Sequence, residues 1–124
     1  YEILEQTQKN DSDITDWLVW FLDTLNDSLE KTLAQISRTL FKSQFWHKYS
    51  NLALSEEQRK VLNRLLDGGE NGFEHGISAS QYQKVAKISK ATATRHLSDL
   101  LEKECLVKLE GGGRNTRYQI NTQL

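Results

Sequence analysis

Nine large apolar residues recur at helical spacing in the first third of the chain: Trp17, Leu18, Phe21, Leu22, Leu25, Leu29, Leu33, Ile36 and Leu40. The 18 residues from Leu22 to Leu40 take five steps, the 3.6-residue turn of an α-helix and not the 3.5 of a coiled-coil heptad. No proline stands anywhere in the 124 residues to interrupt it. The stripe predicts an amphipathic helix that starts at a Thr15 N-cap and runs to about Tyr49, where the aromatic stretch FKSQFWHKYSN closes it. Before it, NDSDITD (Asn10–Asp16) is dense in capping side chains and predicts a turn. Residues 1–9 then read as the tail of an earlier helix. A helix of this length gains its stability chiefly from burying its apolar side. The stripe therefore predicts packing against other helices, with Trp17, Trp20 and Trp46 in a core.

The remaining elements are shorter. In LSEEQRKVLNRLLDGG, Ser55 caps a helix, Glu56 and Glu57 suit its positive N-terminus, and Gly68 or Gly69 stops it. Val61, Leu62, Leu65 and Leu66 form its apolar side, and the glycine-rich stretch to Gly76 is a loop. Ser78 and Gln81 have capping-box spacing at the start of a second helix. A break at Ile88–Ser89 leads into a third over Lys90–Lys103, with Ala93, Leu97, Leu100 and Leu101 facing inward. CLVKL and TRYQI read as two strands joined across Gly111–Gly113.

Charge divides along the chain. Residues 1–75 hold eight Lys/Arg against thirteen Asp/Glu, and residues 76–124 hold eight against four, within a net charge of −1. An acidic front and a basic back predict two parts with different partners. No apolar run approaches the ~20 residues that span a bilayer, so no membrane partner is expected. Cys105 has no cysteine to pair with, which suits the cytoplasm and a buried, inert thiol. The chain opens at Tyr1 and has no methionine, so a fragment or processed product is expected.

Helix, loop, helix, tight turn, helix, strand, glycine loop, strand is the element order of a winged helix-turn-helix. The expected fold is thus mainly α with a small β-hairpin: a helical segment over 1–50, then a winged-helix domain over 55–124. Its recognition helix would be Lys90–Lys103, and the hairpin would be the wing. Such a helix enters the major groove by its N-terminal half, which holds Lys90, Thr92, Arg95 and His96. Arg95 suits guanine, and Lys90 or Thr92 suits phosphate. Arg114, Asn115 and Arg117 would serve from the wing. Asp99 and Glu102, on the outward side with Arg95, oppose contact with a phosphate backbone. DNA is therefore one expected partner, and a protein target or a second copy docked on the same surface is the other. His47, His75 and His96 lack metal-ligand spacing, the paired Glu56 and Glu57 are helix-start charges, and no catalytic residue or cofactor is expected.

Residues 1–33 (YEILEQTQKNDSDITDWLVWFLDTLNDSLEKTL) resemble the segment that follows the catalytic motif in Fic (Fic/DOC) proteins. LSEEQRKVLNRLLDGGENGFE and GGGRNTRYQI are similar to the C-terminal winged-helix extension that many of them carry. The resemblance covers essentially the whole chain and is most specific in DITDWLVWFL, RKVLNRLLDG and GGGRNTRY taken together. It implies the part of a bacterial-type protein AMP-transferase downstream of its active site. Residues 1–50 would then be the last helices of the parent's Fic core. The family's motif, His-Pro-Phe-x-x-Gly-Asn-Gly-Arg, is absent, so no catalytic residue carries over. The chain departs from the family at the end of the third short helix, where EKG is usual and EKECL stands here. Glu104 thereby occupies the place of a left-handed glycine cap.

Overall fold

The structure, a computed structural model, describes residues 2–68, 72–112 and 115–124, with the backbone alone for 2–9. The described residues form four helices, α1 (Glu2–Lys48), α2 (Glu56–Asp67), α3 (Ala79–Ala86) and α4 (Lys90–Glu102), and three strands, β1 (Ile77–Ser78), β2 (Leu106–Lys108) and β3 (Arg117–Ile120). The chain divides into two compact units, residues 1–37 and 38–124, so the last turns of α1 belong to the second unit.

In the first unit α1 is continuous, and the turn expected at Asn10–Asp16 does not form. That stretch has no Gly or Pro, and its Asn, Asp and Ser side chains are only mildly unfavourable inside a helix. Thr15 is no N-cap: its hydroxyl donates back to the Asp11 carbonyl at 2.9 Å, as Thr24 does to Trp20 and Thr32 to Ser28. Trp17 and Phe21 stack at 5.4 Å. The core position expected for Trp17 and Trp20 is also corrected. Every large apolar side chain from Ile14 to Ile36 is 42–62% exposed, because the unit is one helix with nothing of its own to pack on.

The second unit closes around Phe45, whose ring lies 4.7 Å from that of Tyr49 and edge-on to Trp46 at 5.3 Å. Trp46 is half-buried and donates from Nε1 to Asn63 Oδ1 (2.8 Å). α2 contributes Val61, Leu62, Leu65 and Leu66 at the expected spacing, α3 contributes Tyr82 and Val85, and α4 contributes Ala93, Leu97 and Leu100. Ser55 and Ser78 both form complete capping boxes, with Gln58 and Gln81, and Gly68 ends α2 at φ 64°.

The sheet has three strands, not the two of a lone hairpin, in the order β1-β3-β2 and antiparallel throughout. β1 pairs Ile77 with Tyr118 and Ser78 with Arg117. Two residues are too few to show an alternating pattern, and Ser78 also serves as the α3 cap, so periodicity could not reveal this strand. Gly76, just before it, is held at φ +90°. A Cβ there would come within 2.9 Å of the Tyr118 carbonyl oxygen and of Leu109 Cδ1. Cys105 is fully buried, and burial pushes its thiol up to about 11.

α4 ends as a left-handed cap at a non-glycine residue. Glu104 takes φ 62°, its N–H donates to the Leu101 carbonyl, and Cys105 N–H reaches back to Leu100. The Glu104 carbonyl in turn accepts from Tyr49 Oη and Asn121 Nδ2, both at 2.9 Å. Those two bonds hold a conformation that costs a side-chain-bearing residue roughly 1 kcal/mol.

Candidate nucleic-acid interface on the α3–α4 pair

α3 and α4 are consecutive helices joined through Lys87–Ser89. Lys87 ends α3 in the left-handed region (φ 56°), donating from its backbone N–H to the Gln83 carbonyl. Ser89 then starts α4: its Oγ accepts from the Thr92 N–H and lies 2.8 Å from the Thr92 hydroxyl. Thr92 is half-buried by this arrangement.

The two faces of α4 separate by helical geometry. Ala93, Leu97 and Leu100 point into the core, whereas Ala91, Thr94, Arg95, Ser98 and Glu102 are exposed along the other side, with Lys90 at its edge. Ala91 and Thr94 were not singled out from the sequence, although their i, i+3 spacing on the side opposite the buried set marks that face. Lys84 and Lys87, both exposed, were also missed. Together with Lys90 and Arg95 they place four cations between Ile77 and Ser98, a stretch without any Asp or Glu.

The remaining expected residues fall in different settings. The His96 ring is half-buried, with Nδ1 3.1 Å from Tyr82 Oη and the rings edge-on at 5.9 Å. Burial holds the Tyr82 phenol well above its ordinary value, with the nearby charges of Glu57 and Asp99 acting the same way. Arg117 is exposed, yet its Nη1 donates to the Gly76 carbonyl (3.1 Å) and Gln81 Oε1 (3.4 Å) and so ties β3 to the start of α3. Asn115 is exposed in the β2–β3 connection. Gly113 and Arg114 lie outside the described residues. In the same connection Gly111 sits at φ +129°, and no atom comes within 4 Å of a Cβ built on Gly111 or Gly112.

Asp99 is part-exposed as expected, but its carboxylate is not free. Its Oδ2 accepts from Lys103 Nζ and from Gln58 Nε2, both at 2.8 Å, and these donors hold its carboxyl below the ordinary range. Gln58 is the only buried polar side chain among the described residues, and Lys103 also donates to the Ala53 carbonyl. The carboxylate thus joins α4 to α2 and carries its own counter-cation. Glu102 remains exposed, about 16 Å along the helix axis from Ala91.

No protein-family model matches the chain, and no curated protein is detectably similar to it. Among the described residues no helix is long and apolar enough to cross a membrane.

Proposed function

We propose that the second unit is a winged helix-turn-helix module that binds duplex DNA. In this reading α4 lies in the major groove and the β2–β3 connection is the wing. The carrying observation is the acid-free stretch Ile77–Ser98, whose four cations all lie on exposed positions of α3, the turn and the first half of α4. Phosphate attracts such a surface without regard to base sequence. The order α2, β1, α3, α4, β2, β3, with β3 central in the sheet, supports the winged form. The engagement of Asp99 with Lys103 and Gln58 removes one of the two carboxylates that opposed the reading. The other, Glu102, lies beyond the half of the helix that meets base edges.

With the sequence resemblance, the module is the C-terminal part of a cytoplasmic Fic-type AMP-transferase and acts by binding, without catalysis of its own. The exposed stripe of the first unit favours a protein partner as well, and on this reading helices of the parent's Fic core cover it. Binding to a labelled duplex, followed across salt concentration, tests the DNA reading. Lys90→Ala should lower the slope of log K against log salt by about 0.9, whereas Arg95→Ala should weaken binding by about 1–3 kcal/mol and relax any preference for guanine. A chain that shows no duplex affinity at low salt while forming dimers would instead assign the face to protein docking.

A further inference from the structure

On the reading that the second unit binds duplex DNA, we infer that α4 recognises the 5-methyl group of a thymine beside a guanine, through Ala91 and Thr94 next to Arg95. The Thr94 hydroxyl has a single proton, and it is already given to the Lys90 carbonyl at 3.0 Å. Thr94 therefore has no free donor for a base acceptor, and at this exposed position its methyl is the group left to make a contact. Ala91, one turn earlier on the same exposed face, offers only a methyl. Residues three apart on a helix stand about 5–6 Å from each other, so the two make one donor-free apolar spot. Thr92, the other threonine of the first turns, is paired with Ser89 and half-buried, and leaves that spot unchanged.

The thymine methyl is the one apolar group that base pairs present in the major groove. An apolar spot without a free donor matches that group and offers nothing to the acceptor edges of guanine, adenine or thymine. Arg95, exposed beside Ala91 and Thr94, supplies the paired donors that suit guanine O6 and N7. The surrounding cations, Lys84, Lys87 and Lys90, supply attraction without sequence preference.

The test runs two enrichments of a randomised duplex pool on the whole chain, one pool built with thymidine and one with deoxyuridine, which differs only by that methyl. Enriched thymidine duplexes should carry thymine next to guanine. Remaking them with deoxyuridine should weaken binding about fourfold per contacted methyl. Thr94→Ser keeps the hydroxyl and its bond to Lys90 but lacks the methyl. It should bind the deoxyuridine duplex as the wild type does while its thymidine-to-deoxyuridine ratio falls toward one. A wild-type ratio of one, with salt-dependent duplex binding intact, overturns this inference and leaves the DNA reading standing. No duplex binding at low salt overturns both.

Discussion

The stripe of α1 and the inner side of α4 are written in the same helical code, yet they end in opposite surroundings. Leu22, Leu25, Leu29 and Leu33 repeat every three or four residues and are about half exposed. Ala93, Leu97 and Leu100 repeat in the same way and are at most 2% exposed. The α4 set meets α3, β2 and the end of α1 in one core, whereas the α1 set lies in a unit that is a single helix. Periodicity shows that a face is apolar; a neighbour has to exist for that face to be buried.

The largest test of this contrast removes one aromatic from each side. Phe45→Ala empties the centre of the second unit and should cost about 3–5 kcal/mol, read as a fall in the urea midpoint. Trp20→Ala, a larger truncation, should change the unfolding free energy read from that midpoint by less than about 0.5 kcal/mol. A comparable cost for Trp20→Ala that grows with protein concentration would break the contrast, since it would mean that a second copy covers the stripe.

A smaller effect separates two glycines. Gly76→Ala combines a left-handed backbone with a collision against the Tyr118 carbonyl and should cost about 2–3 kcal/mol in thermal unfolding. Gly111→Ala meets open space and carries only the backbone strain, so its cost should stay at about 1 kcal/mol. Equal losses would show that the β2–β3 connection is packed against something after all.

The smallest effect concerns acid. The carboxyl of Asp99 is held below its ordinary range in the folded chain by Lys103 and Gln58. Its stabilising contribution is therefore complete above the unfolded carboxyl's pKa, near 4, and is lost as pH falls through the lower folded value. Asp99→Ala should cost about 1 kcal/mol at neutral pH through the lost bonds to Gln58 and Lys103, and the difference from wild type should shrink below about pH 4. A constant difference across that range would remove the carboxylate from the α2–α4 link.

Local chemistry was the legible part of this fold. The caps at Ser55, Ser78 and Ser89 and the stop expected at Gly68 or Gly69 all depend on a few neighbouring residues, and Gly68 is where α2 ends. The three consecutive glycines drew attention, but among the described glycines it is Gly72, against the Gly68 backbone, and Gly76, against Tyr118 of β3, where a close approach bars a side chain, and only the folded chain reveals either. The candidate site was half legible. Lys90 and Arg95 lie on the exposed face as expected, whereas His96 and Asp99 lean on partners from α3 and α2 that lie far away in sequence. Thr94 was overlooked because its hydroxyl suggests polarity, and only the structure shows that hydroxyl's proton given to the Lys90 carbonyl.

Taken by itself, the sequence determined where the three short helices start, which sides of the helices are apolar, and that cations gather in the second half while acids gather in the first. These follow from interactions within about one turn of the chain, or from counting. Tertiary structure alone decided that Ile77–Ser78 becomes a third strand, and that Asp99 is bound while Arg95 faces outward. Each of these depends on the competition between a local preference and a contact made across the fold, and neither side of it can be weighed until the chain has closed on itself.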